Sequence, residues 1–445
     1  MAAPSAPAQR GLRGAVVAFR YRDFRLFWTG ALISNIGTWM QNLTVPYALL
    51  YVMHTSAVWV GIATISQFLP GVILGPLAGW MADRFNRRVL LLVSQVVQLV
   101  LALALWAAWV AGLRDPFGFV ALVALNGVVF GITMASWQSF VTELVPRSDL
   151  LNAITLNSAQ FNGARAFGPA LAGLVLARWG PGAAFLANAL SFLAVVIALA
   201  MIKTSSAERL GPGEPVMRQF AIGARYARQH TGIVVAIAVI TLVGLFGMPV
   251  GQMANVMAKK VYHLDAGQFG LLGAAYGVGA VIGAVGLGSL GGTVRRSRLV
   301  LGAVTLYAVS LVLFGLAPNF PGGALSLALC GVAFLSASAS LNTSVQLIVA
   351  EDLRGRVMAI YAMALTASFP IGALIQTALA DSISPRLVLV GAGACLGFVA
   401  LGLAMRPRWL LSLEEEQAGA DRVLEPLPPV IAVPPVPGIQ PAGGS

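Results

Sequence analysis

Charge is what this chain has least of. Asp, Glu, Lys and Arg make up 10% of its 445 residues, against about 25% in a soluble domain, which excludes an ordinary soluble enzyme. With 58% apolar residues, a disordered protein is excluded too, since disorder needs low hydrophobicity and high net charge. Cysteine is nearly absent. Cys330 and Cys395 lie inside apolar runs and suit neither a disulfide scaffold nor a metal site; they read as buried free thiols. The three histidines, His54, His230 and His263, fall in loops or at the ends of apolar runs. No Ser/His/Asp or Cys/His set emerges, so no catalytic residue is assigned. No Gly-x-x-x-x-Gly-Lys-Ser/Thr phosphate loop occurs, so ATP drive is not indicated. No cofactor and no metal are expected.

Long apolar runs stand in place of these features. A helix crosses a bilayer with about 20 apolar residues. Such runs fall near 26–52, 57–82, 89–112, 118–142, 151–177 and 181–202, and again near 231–257, 267–291, 299–317, 323–349, 357–380 and 386–405. Runs this long are not alternating barrel strands, so the fold class is an all-α membrane protein with twelve transmembrane helices. The first run is too long for a signal peptide and is followed at once by another, so no cleaved leader is expected.

The 28 bases against 16 acids, a net charge of +12, would point to nucleic acid only if they clustered on a soluble module. They sort by topology instead. With the termini and even-numbered loops on one side, that side collects 22 bases, the other has 5, and Arg165 alone lies inside a span. The positive-inside bias puts both termini in the cytoplasm. No nucleic-acid partner is expected; the lipid bilayer is.

Residues 203–230 interrupt the pattern with a Gly/Pro-rich stretch, 205–215, and then a basic amphipathic segment, 216–230. That segment suits either the inner membrane surface or a solvated loop helix. The chain therefore divides into a cytoplasmic segment 1–25, a six-span bundle 26–202, a central loop 203–230, a second six-span bundle 231–405 and a Pro-rich tail 406–445, which reads as disordered. The loops after spans 4 and 10 echo each other at an offset of 204, Val145 to Val349, and those after spans 2 and 8 at 208, Arg87 to Arg295. Similar offsets imply parallel repeats.

Polar residues inside spans are costly in lipid and therefore informative. Span 1 carries Asn35, Thr38, Gln41 and Asn42; span 4, Asn126 and Gln138; span 5, Asn157, Gln160, Asn162 and Arg165. Gln252 and Asn255 lie in span 7, and Ser340, Asn342 and Gln346 in span 10. No Asp or Glu falls at mid-depth of any span. A proton relay usually needs one, so protons are only a candidate coupling ion. Arg165, near mid-depth, costs at least about 2.5–3.5 kcal/mol unless paired or wetted. It either orients cargo in a cavity or is satisfied by Asn35, Asn162 or backbone carbonyls.

Twelve spans in two parallel halves resemble the major facilitator superfamily over about residues 20–405. Gly79-x-x-x-Asp83-Arg84-x-x-Arg87-Arg88 matches that family's signature between spans 2 and 3, with Asn86 in place of the turn glycine. Asn tolerates the left-handed backbone expected there. Gly168-Pro169-Ala170-Leu171-Ala172-Gly173 resembles the antiporter signature of span 5. Phe24-Arg25-Leu26-Phe27-Trp28, the segment 34–41 and Arg354-Gly355-Arg356-Val357 are similar to the enterobactin-exporter-like group. The family's usual span 4 arginine is missing, with Asn126 near its place.

The resemblance implies that spans 1, 4, 7 and 10 line a central cavity, which makes their amides and Arg165 candidate cargo-binding residues. Trp39, Trp137, Phe246 and Tyr276 would supply aromatic walls, while Trp28, Trp106, Trp109 and Trp179 would anchor at the interfaces. Helix-to-helix hydrogen bonding could claim about half of the amides. The resemblance also implies a cytoplasmic gate made of Asp83, Arg84, Arg87, Arg88, Glu143, Arg354 and Arg356, whose plain alternative is topology determination by charge. Gly168 and Pro169 would serve the rocking of the halves. The expected protein is a monomeric secondary transporter of the bacterial inner membrane. It would export a small, partly apolar molecule, siderophore-like or drug-like, by alternating access. An importer and a non-transporting sensor or scaffold are the alternatives. A membrane enzyme or channel lacks the catalytic set or selectivity ring it would need.

Overall fold

In hydrocarbon a backbone amide has no water to bond, so apolar runs close their hydrogen bonds internally. The computed structural model describes residues 16–203, 216–290 and 294–414, and no strand occurs among them. The N-terminal residues 1–15, the Gly/Pro-rich linker and the Pro-rich tail beyond 414 lie outside the described residues. The chain opens with α1 Arg22–Tyr47, α2 Val58–Arg84, α3 Arg87–Val110 and α4 Pro116–Glu143. Leu150–Met201 is broken at Gly180, whose φ of 73° is left-handed. Glycine takes that conformation without a Cβ clash; the break separates α5 (150–179) from α6 (181–201). There follow α7 Val216–Gln229, α8 Thr231–Leu242, α9 Val250–Lys260, α10 Ala266–Leu290, α11 Arg296–Leu316, α12 Phe320–Ile348, α13 Arg354–Ser382, α14 Pro385–Met405 and the short α15 Pro407–Ser412.

Among the described residues, ten helical segments are long and apolar enough to cross a membrane. One of them, Arg147–Met201, holds both α5 and α6; another, Thr231–Lys260, joins α8 and α9. α1 falls outside the ten, because Asn35, Gln41 and Asn42 dilute its apolar character. Counting α1 and dividing the broken segment, the architecture is consistent with twelve spans.

Helices α1 to α6 pack as one set: α1 on α5 and α6, α2 on α4, and α3 on α4 and α6. The second set packs α10 on α12, α11 on α12 and α14, and α13 on span 7, made of α8 and α9. Two seams join the sets, α2 with α13 and α5 with α10. Internal symmetry shows at matching places. His54 and His263 follow the first span of each set with φ of 53° and 52°. Asp115 and Asn319 cap α4 and α12, accepting hydrogen bonds from Gly118 and Gly322 N–H.

Two local expectations change. Asn86 is extended, with φ −62° and ψ 116°, and its side chain caps α3 by accepting from Val89 N–H. The chain turns there by capping, the commonest use of Asn at a helix start, and no left-handed residue is needed. Trp109 is buried against Phe119 and Phe185 and belongs to the core. Helix α7 docks on the second set: Tyr226 Oη accepts from Ala350 N–H at 3.2 Å, and Gly223 lies against Arg356. Arg218, Arg225 and Arg228 stay exposed on it.

The buried apolar residues of the second set form one continuous cluster, which extends to Met40, Leu43, Leu50, Ala57, Val60 and Ala172 of the first. The other buried apolar residues of the first set fall into three separate clusters.

Candidate functional site

A cavity of about 400 Å³ lies within the first set, lined by α1, α3, α4, α5 and α6. Asn35 and Thr38 of α1, Gln138 of α4 and Asn162 of α5 line it, together with Asn157 and Gln160, with Trp137 among its aromatic walls; among the described residues, spans 7 and 10 contribute nothing to this lining. Gln95 and Gln98 of α3 also line it. They stand three apart and so share one helix face. Sequence reasoning passed over them, although two amides in an otherwise apolar span carry the same cost signal as those in spans 1 and 5. Thr142, Ile154 and Asn157 place the cavity toward the helix ends nearest the chain termini.

The other amides go elsewhere. Gln41 Oε1 accepts from Asn188 Nδ2 at 2.7 Å, tying α1 to α6. Asn42 Oδ1 accepts from Gln67 Nε2 at 2.7 Å, tying α1 to α2. Asn255 Nδ2 donates to Gln252 Oε1, and Gln346 Nε2 to Asn342 Oδ1, so the amides of spans 7 and 10 pair within their own helices. Asn126 is half-buried on α4, apart from the cavity walls.

Arg165 lies deeper on α5, where the sets meet. Its guanidinium carbon is 5.5 Å from the ring centre of Trp39, 5.2 Å from Tyr276 and 5.4 Å from Phe334. Tyr276 and Phe334 belong to α10 and α12, so the charge bridges the two sets through aromatic faces. Each such contact contributes about 0.5–2 kcal/mol, enough in sum to offset the intramembrane cost of the charge. Asn162 Nδ2 donates to the Ser158 carbonyl of its own helix. Below Arg165 the α5–α10 seam tightens. A Cβ on Gly173 would sit 2.5 Å from the Gly270 Cα, so only glycine permits this crossing. Gly168 lets α5 approach α1 in the same way, against Trp39, with Pro169 beside it at Gly273.

The end remote from the termini is closed. Asp381, at the end of α13, accepts from Ala57 N–H at 2.9 Å and Val58 N–H at 2.8 Å, and pairs with Lys260 of α9. A carboxylate from one set thus caps the α2 N-terminus of the other, where free N–H groups and the helix dipole favour negative charge. Tyr47 and Tyr51 meet Phe269 across the same end, and Phe68 meets Phe369 nearer mid-length. Sequence reading placed its gate only at the opposite end; Asp381 lies 121 residues from Lys260, and no local pattern marks the pair.

Toward the termini the charged residues meet partners of their own set. Arg87 Nη1 donates to Glu143 Oε1 at 2.6 Å, with Glu143 only 7% exposed. Arg88 donates to the Leu199 and Ala200 carbonyls, closing the end of α6. Arg84 lies over Trp80 on its own helix. Arg354 approaches Glu351 at 4.0 Å, and Arg356 packs beside α7. The side chain of Asp83 lies outside the described residues. A Cβ placed on Gly75, Gly79 or Gly163 would meet nothing within 4 Å. Tyr21 Oη donates to Asp149 at 2.7 Å; this bond to a carboxylate raises the phenol above its ordinary pKa.

Residues 13–431 match the family described as transmembrane secretion effectors. Enterobactin exporter EntS of Citrobacter koseri is 26% identical over 403 residues, 86% of this chain and 90% of that protein. Macrolide efflux protein A of Streptococcus pyogenes is 20% identical over 374 residues, 82% and 92% of the two chains. Among solved structures, a bacterial homologue of the lysosomal transporter Spinster, in an inward-facing and unoccupied conformation, superposes with a TM-score of 0.68 at 11% identity, covering 89% of this chain and 99% of that one.

Proposed function

Because the chain belongs to the transmembrane secretion effector family of major facilitator transporters, we propose that it exports a small, partly apolar molecule from the cytoplasm by alternating access. The observation that carries this reading is the asymmetry of the cavity's surroundings. The cavity lies toward the termini, while the seams, Asp381 and the Gly173–Gly270 crossing close the other end. The 22-to-5 split of bases supports a cytoplasmic terminal side. Cargo would enter from there, and rocking of the bundles 26–202 and 231–405 about the level of Arg165 would carry it across.

In the outward-facing state the Asp381 cap would release, and Asp83, Arg84, Arg87, Arg88, Glu143, Arg354 and Arg356 would come together to close the cytoplasmic end. The relatives suggest the cargo class: one is named for enterobactin, another for macrolides. The test is efflux from proteoliposomes loaded with enterobactin or a macrolide, with and without a pH gradient. Protein-dependent efflux that Arg165→Gln removes supports an exporter. Leakage no faster than from protein-free vesicles, for both cargoes and both gradients, turns the assignment to an importer or a non-transporting sensor.

A further inference from the structure

We propose that the N-terminal cavity binds an uncharged, hydroxyl-rich ring, such as a glycosyl unit; the proposal deepens the exporter reading by naming the part of the cargo this half recognises. No Asp, Glu, Lys or Arg is among the cavity's lining residues. An ion placed there would lose its hydration with no counter-charge to replace it. Three amides at the wall hold buried polar atoms with no hydrogen-bond partner: both ends of Gln160, Oε1 of Gln95 and Nε2 of Gln98. These side chains belong to residues only 2%, 3% and 3% exposed. Such groups are costly to leave unmade; turned toward the cavity they line, these amides would find their partners in the cargo.

The set demands a partner that both donates and accepts. A carboxylate only accepts and an ammonium only donates, whereas a hydroxyl does both from one atom. Phe130 and Phe161 line the same space and offer apolar faces for the C–H side of a ring. At about 400 Å³ the cavity is in the size range of small-molecule sites. In the C-terminal half the amides of spans 7 and 10 pair within their own helices, and the buried Gln376 donates to the Leu245 and Phe246 carbonyls.

The test is equilibrium binding to the full chain in lipid nanodiscs, with 4-methylumbelliferyl β-glucoside as probe and the matching glucuronide as its anionic near-isostere. The glucoside should bind saturably, and the glucuronide about tenfold or more weakly, since one desolvated charge outweighs the shared contacts. Gln160→Leu and Gln98→Leu should each weaken glucoside binding by about tenfold while leaving the melting temperature unchanged or higher, because an unpartnered amide is replaced by an apolar group of similar shape. Absence of saturable glucoside binding, equal affinity for the glucuronide, or leucine variants that bind normally would overturn the proposal. A clear fall in melting temperature in both variants would show that the amides are structural, and would overturn it as well. The measurement needs no turnover. Glucoside binding without efflux of any cargo would leave the site and remove the exporter; efflux of enterobactin or a macrolide without glucoside binding would do the reverse.

Discussion

The two six-helix sets share one plan and differ in what fills their middles. The C-terminal set is solid: its buried apolar side chains, Tyr307, Phe314 and Leu341 among them, form a single cluster that reaches across the seams to Met40, Leu43, Leu50 and Ala172. The N-terminal set is hollow: the rest of its core falls into three clusters, and amides and hydroxyls line a cavity within it. A solid half can act as a rigid body, because close-packed interiors transmit movement without deforming. A hollow half forgoes packing energy to keep a polar space. The difference implies a division of labour, with recognition in the first set and leverage in the second.

The largest effect that would sharpen this contrast is on stability. Phe314→Ala in the solid half should cost about 3–5 kcal/mol, the range for a large buried side chain replaced by alanine. Gln95→Leu in the hollow half should cost nothing or stabilise slightly, since Gln95 Oε1 has no partner to lose. Thermal unfolding in detergent checks both. Equal losses would erase the distinction.

Arg165 tests the seam between the halves. Arg165→Gln removes a cation that meets one ring of the first set and two of the second, and should cost about 1–3 kcal/mol of contact between them. Transport should be lost while folded protein still accumulates. Arg165→Lys keeps the charge without the flat guanidinium and should be intermediate. Efflux rates and spin-label distances between α5 and α10 report the two effects; normal transport in both variants would make the residue structural.

A smaller change is expected at the closed end. Asp381→Asn keeps the shape but loses the charge that faces Lys260 and the α2 N-terminus. It should shift the balance toward opening at that end by about 1–2 kcal/mol, the scale of charge-assisted hydrogen bonds. Distances between labels at the start of α2 and the end of α13 should lengthen. Unchanged distances would mean that the apolar seam alone holds this end shut.

The smallest change between the halves is expected for Arg87→Ala. Because Arg87 pairs inside one half with the nearly buried Glu143, the loss of stability should be about 1–3 kcal/mol, the cost of leaving a buried acceptor without its partner. In this state there should be no change in the distance between the halves. A large change in that distance would show that the cluster already holds the halves together.

The sequence made the scaffold legible because spans are long and their chemistry uniform. The run lengths, the repeat offset and the placement of bases needed no tertiary information. The site was legible in part. Cost in lipid pointed to Asn35, Thr38, Gln138, Asn162 and Arg165, but the same cost marks Gln41 and Asn42, which the fold spends on helix-to-helix bonds. Which use an amide serves depends on whether another amide faces it, and facing is set by packing. The aromatic faces around Arg165 come from three helices far apart in the chain. The Asp381 cap joins residues more than 320 apart. Neither has a local pattern to betray it.

The account rests on one cavity in the first half being reached from one membrane face at a time. Asn157→Cys, in a chain whose Cys330 and Cys395 are replaced by alanine, places a single thiol at that cavity's wall. Its labelling by an impermeant reagent can be timed in inside-out and right-side-out vesicles. The thiol should react from the cytoplasmic face and stay protected from the other, and Asp381→Asn should make it reactive from the far face. Comparable labelling from both faces with Asp381 intact, or none from the cytoplasmic face, would contradict the account.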